Sequence, residues 1–180
     1  MDELAESERR ARRISIWNPL VVPLLLQTAD YTEGLLTGPL GQPTPEALLA
    51  YRAVHRQRKR HVLTGGPELR VVLGEGALRA LVGSPSVMRA QLEHLLAAPA
   101  TCTLQVLPFD VPAQGRAPFM LLDLDQGPVV YLEGYREGFE SEPALVQPYT
   151  ERFELLSRLA LTPPDSQRFL RRLLAEAGTG

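Results

Sequence analysis

The chain has 180 residues, 44% of them hydrophobic and 22% charged, with a formal net charge of -2. This length and composition fit one domain with a real core, and the balanced charge excludes a general pull toward nucleic acid or an anionic membrane surface. A single cysteine, Cys102, excludes an internal disulfide framework and a cysteine-rich zinc site. The apolar run at residues 20–26 is too short to span a bilayer and the charged N-terminus carries no signal-peptide pattern, so a cytoplasmic protein is expected.

In chain order, DELAESERRARRI places acids first and arginines last, as a helix dipole favours, and Trp17-Asn18-Pro19 ends that helix. Thr28 is a helix cap for a short segment reaching about Leu36, with Asp30 in its first turn. Thr44-Pro45 opens a longer helix, PEALLAYRAVHRQRKRHVL, before Gly65-Gly66-Pro67. ELRVVL is a strand, GALRALVG a short helix, and Ser84-Pro85 opens a helix with Met88, Leu92, Leu95 and Leu96 at helical spacing. TCTLQVLPF alternates with period two, placing Cys102, Leu104 and Val106 on one face. FMLLDLDQGPVVYLEGY is read as two strands around residues 125–128, and two helices follow, with Phe153, Leu156, Leu159, Phe169 and Leu173 as core positions.

These elements predict a single α+β domain over residues 1–180: a helical N-terminal part at 1–66, then a sheet with C-terminal helices at 67–180. The sheet is expected to be mixed and about four-stranded, with a parallel βαβ unit and a hairpin. By analogy alone it is loosely phospholipase D-like, although the His-x-Lys motif of that fold is absent.

Polar residues stand where packing alone would prefer leucine. Gln27 and Thr28 follow directly behind the apolar run, and Tyr31 comes one helical turn later. A buried glutamine needs hydrogen-bond partners, and Thr28 has one as a cap. Two readings stay open for these residues: their polar groups are satisfied within the fold, or Leu26, Gln27 and Tyr31 form one wall of a ligand pocket, with Arg56, Glu75, Gln91, Tyr131 and Glu133 on the others. Glu133, on one strand face with Tyr131 and Tyr135, is the candidate general base. The commoner role of Glu75 is an ion pair with Arg79 four residues on, and that of the basic run at residues 56–61 is a solvated helix face. The three histidines have no metal-ligand spacing, so neither metal nor cofactor is expected.

The ordered set of residues 25–28, Tyr31, Arg56-Gln57, Glu75, Leu78-Arg79, Met88, Gln91-Leu92, residues 106–109, Tyr131 and Glu133 resembles a family of actinobacterial domains of unsettled function. These usually follow the helix-turn-helix of xenobiotic-response-element (XRE) type regulators. The chain departs from that family's pattern at Leu24, where glycine is usual. The resemblance starts almost at Met1, so a stand-alone member without the DNA-binding module is expected. It implies a small-molecule-binding domain of sensor or effector type, acting without direct nucleic-acid or membrane binding, as a homodimer or with a partner regulator. Two alternatives stay open: an enzyme of a biosynthetic pathway, cyclase- or isomerase-like, built on the same pocket, and a protein-interaction module for a partner regulator.

Overall fold

The computed structural model describes residues 2–37, 43–111, 117–132 and 138–176. Among these, a mixed sheet of six strands runs in the order β3-β2-β1-β4-β5-β6. The strands are β1 (Arg13–Asn18), β2 (Glu68–Gly74), β3 (Cys102–Leu107), β4 (Phe119–Leu124), β5 (Gly127–Leu132) and β6 (Gly138–Glu140). The helices are α1 (Asp2–Arg10), α2 (Ala29–Leu36), α3 (Pro45–Leu63), α4 (Glu75–Arg79), α5 (Pro85–Leu96), α6 (Pro143–Leu159) and α7 (Pro163–Glu176).

The α+β class holds, as do the parallel β2–β3 pair and the antiparallel β4–β5 hairpin. The hairpin turns through Gly127, whose φ of 116° suits only glycine. The count of four strands is corrected to six. The sequence pattern assigns the start of β1 to the end of the first helix and carries no signal for β6. RISIWN is β-branched and aromatic, and its last five residues are buried, because the strand lies at the centre of the sheet. It pairs parallel with β2 and antiparallel with β4. The N-terminal part is therefore not purely helical: it supplies the central strand. β6 is a three-residue edge strand on β5.

Each face of the sheet has its own core. Ile14, Ile16, Val71, Leu73, Val106, Met120 and Leu122 pack with Leu4 of α1, Val62 of α3, Leu92 of α5 and Leu170 of α7. On the other face Trp17, Val72, Leu107, Phe119 and Val130 meet Val146, Phe153 and Leu156 of α6. Phe153, Leu156, Phe169 and Leu173 are buried as expected, whereas Leu159 is 43% exposed at the end of α6. The helix caps are as the sequence predicts. Thr28, Thr44 and Ser84 accept hydrogen bonds from the N–H groups of Tyr31, Ala47 and Val87 at 3.2, 3.2 and 3.3 Å. Thr28→Ala removes one such bond and should lower stability by about 1 kcal/mol in a denaturant melt.

Candidate functional site: a cleft at the carboxyl edge of the sheet

After β1 the chain does not enter a helix at once. Residues 19–28 cross the carboxyl edge of the sheet as an irregular, largely buried segment with one 3-10 turn at Leu24–Leu26. Backbone groups buried in this way must be paired, and the polar residues of the neighbourhood pair them. Asn18 Oδ1 accepts from the N–H groups of Leu20 and Val21 at 3.2 and 3.1 Å. The Val22 N–H donates to the Tyr31 hydroxyl oxygen at 3.2 Å, and Gln27 Nε2 donates to the Val22 carbonyl at 2.7 Å. Gln91 reaches across from α5, donating from Nε2 to the Leu26 carbonyl and accepting from the Thr28 N–H, both at 2.7 Å. Lys59 Nζ donates to the Gln27 carbonyl. The segment is also held tightly against β2: a Cβ on Gly74 would meet the Pro19 carbonyl oxygen at 2.7 Å, so only glycine fits there.

This bracing changes the expected roles. Both ends of the Gln27 side chain are taken, since Oε1 also accepts from the Thr32 hydroxyl at 2.8 Å. Gln27, Tyr31 and Gln91 hold the segment, and Leu26 is a buried core residue whose carbonyl is clamped. Burial pushes the Tyr31 hydroxyl above its ordinary pKa, so it stays protonated. Gln27→Leu should therefore cost stability, about 1–3 kcal/mol, by stranding the Val22 carbonyl and the Thr32 hydroxyl. That is opposite to the outcome expected of a ligand-facing glutamine, and a denaturant melt decides it.

Glu75 stands apart from these residues. Its carboxylate accepts from Arg79 Nε at 2.6 Å and from the Phe109 N–H at 3.0 Å, tying α4 to the chain after β3. It faces a different hollow, shared with Phe109 and Arg168, because α4 starts directly after β2 and carries its first residue to that side. Arg56 is exposed on α3 and lies in a hollow facing α2. The predicted pocket residues are thus spread over three hollows: Gln27 borders both the cleft that holds Tyr131 and the hollow that holds Arg56, while Glu75 lines a third. Glu133 falls outside the described residues.

The cleft that holds Tyr131 has a volume of about 780 Å³ and opens beyond the carboxyl end of β1. Its floor is Asn18, Met120 and Tyr131. Phe139 of β6 forms one side, its ring 5.1 Å from that of Tyr131. The 3-10 turn, the first turn of α1 and the Tyr51, His55 and Arg58 side chains of α3 complete it. Tyr51 and His55 lie one helical turn apart with their rings in contact, centroids 3.6 Å apart and planes tilted by 45°. Arg58 is anchored by a two-point bond to the buried Glu8 of α1, at 2.6 and 2.7 Å.

His55 stands out chemically. It is 5% exposed, and its Nδ1 is buried without a hydrogen-bond partner among the described residues. Burial first, then the Arg58 and Lys59 charges, lower its pKa from 6.5 to about 4, so the ring is neutral near pH 7. A neutral imidazole offers one donor and one acceptor to a bound molecule. The lowered pKa also fixes a sign. Stability is intact above about pH 6.5, where the unfolded ring is neutral, and is lost as pH falls toward about 4, because only the unfolded ring takes the proton. His55→Leu should flatten the fall in stability between about pH 7 and about pH 5 by about 2 kcal/mol, as read from melts at each pH. Its placement was readable: Tyr51, His55, Arg58 and Val62 recur at helical spacing, marking the inner face of α3.

Among the described residues, no helix is long and apolar enough to cross a membrane and no group of His, Cys, Asp and Glu is placed to hold a metal ion. A family model described as Domain of unknown function (DUF5753) matches residues 1–172. No curated protein and no solved structure matches the chain.

Proposed function

Since the chain belongs to this family of domains of unknown function, we propose that it is a small-molecule-binding domain of sensor or effector type, related to XRE-type regulators, whose ligand occupies the cleft at the carboxyl edge of β1. The observation that carries this is the cleft wall itself. A neutral, buried His55, its Nδ1 unpartnered among the described residues, stands beside the Tyr51 ring and lines the same ligand-sized hollow as Tyr131. The cleft lies outside the carboxyl end of β1, where the strand order reverses from β2 and β3 on one side to β4 on the other, the kind of switch point at which open sheets with helices on both faces commonly bind ligands. The aromatic rings and the imidazole suit a compact, flat, largely uncharged compound with one or two hydrogen-bonding atoms. The regulator relationship is supported by the ordered set of matching segments along the sequence.

The test is a screen of small aromatic and heterocyclic compounds by amide NMR. The expected result is saturable shifts confined to Tyr51, His55, Tyr131 and Phe139, weakened by Tyr131→Ala. If no compound shifts these residues, or all binding falls on other surfaces, the assignment is wrong.

A further inference from the structure

A second hollow, of about 650 Å³, lies on the flank of α3 that faces α2. We propose that it is an oxyanion site, built to take the phosphate group of a phosphorylated small molecule. Its charged side chains are not those of the cleft at the sheet edge, although Gln27 and His55 border both hollows.

Four cations converge there from one face of α3: Arg52, Arg56, Lys59 and Arg60, against a single carboxylate, Asp30. Two of them are already committed in part. Arg52 pairs with Glu33, and Lys59 donates to the Gln27 carbonyl. The other two, Arg56 and Arg60, have no ion-pair or hydrogen-bond partner among the described residues, although both line the hollow. The Nε of Arg52 is buried with no acceptor among the described residues. The rest of that side chain borders the hollow beside Arg56 and Arg60, whose guanidinium forks can take acceptor oxygens.

The opposite wall supplies a different donor type. α2 begins at Ala29, and its first-turn residues Ala29 and Asp30 line the hollow. Thr28 satisfies the Tyr31 N–H, and no hydrogen bond among the described residues uses the N–H groups of Ala29 or Asp30. The positive end of the helix dipole therefore faces the guanidinium groups across the hollow, an arrangement that favours a compact multiply charged anion. Arginine forks match the oxygens of phosphate in pairs. The volume exceeds what one phosphate needs, and Leu63 and the His55 ring lie alongside, leaving room for an organic body.

The test uses phenyl phosphate as the probe, titrated into the full chain in a phosphate-free buffer at constant ionic strength and followed by NMR. The expected result is saturable binding, with shifts at the Ala29 and Asp30 amides and at the Arg52 Nε–H. Arg56→Gln and Arg60→Gln should each weaken it by about tenfold, the loss of a charge-assisted hydrogen bond. Both side chains are exposed and unpaired, so circular dichroism should show both variants folded. Arg171→Gln, on the exposed face of α7, should leave the affinity unchanged. Four outcomes would overturn the proposal: no saturation; shifts that follow ionic strength alone; benzoate binding as tightly as phenyl phosphate; or a duplex oligonucleotide binding more tightly through the same arginines.

Discussion

Glu8→Ala is expected to cost about 3–5 kcal/mol of folding stability, because it removes the buried carboxylate that binds the Arg58 guanidinium at two points. The Glu8 side chain is 1% exposed and that of Arg58 is 9% exposed. The pair is made through two bonds, from Nε and Nη2, in the geometry that arginine and carboxylate match best. It also joins α1 to α3, and so sets the position of the helix that carries Tyr51 and His55 over the cleft. Urea melts of the single variant and of the Glu8→Leu/Arg58→Leu double variant separate two costs. The single change should be severe, while the double change should recover much of the loss, since apolar replacement of both partners removes both buried charges together. A loss below about 1 kcal/mol for Glu8→Ala would mean that water reaches Arg58 and that the pair does not hold α1 on α3.

Phe153→Ala is expected to cost about 3–5 kcal/mol. Phe153 is 2% exposed and belongs to the core that α6 forms with Trp17, Phe119 and Val130 on the second face of the sheet. Its ring also lies 5.0 Å beneath the Arg70 guanidinium, which in turn pairs with Glu154 on the next residue of α6. That hydrogen bond holds the Glu154 carboxyl below its ordinary pKa. Truncation therefore opens a cavity and removes the surface on which Arg70 rests. A measured loss under about 1.5 kcal/mol would show that α6 can settle into the gap, and that this face is less tightly packed than its burial implies.

The elements most legible in the sequence are those whose signals are local. The caps at Thr28, Thr44 and Ser84 and the period-two run of β3 rest on neighbouring residues, and they stand in the structure as read. β1 was hidden because its cause is not local. Arg9, Arg10, Arg12 and Arg13 continue the charge pattern of a helix end, and only pairing with β2 and β4 makes Arg13–Asn18 a strand. The candidate site was half legible for the same reason. Polar residues in a buried run signal unmet hydrogen-bond demand, and Gln27, Tyr31 and Gln91 do carry that demand. The sequence does not tell whether the partner is a ligand or the chain's own backbone, and here it is the backbone of residues 22–28. His55, one of three scattered histidines in the sequence, becomes notable only once α3 lies over the sheet edge and its Nδ1 has no partner among the described residues.

The most direct test of the cleft at the carboxyl edge of β1 is a crystal structure of the chain with the tightest compound from the NMR screen. Density for the compound should lie between Tyr51 and Tyr131, with one of its polar atoms within hydrogen-bond distance of His55 Nδ1. Density elsewhere on the surface, with His55 Nδ1 still without a partner, would contradict the assignment of this cleft as the binding site.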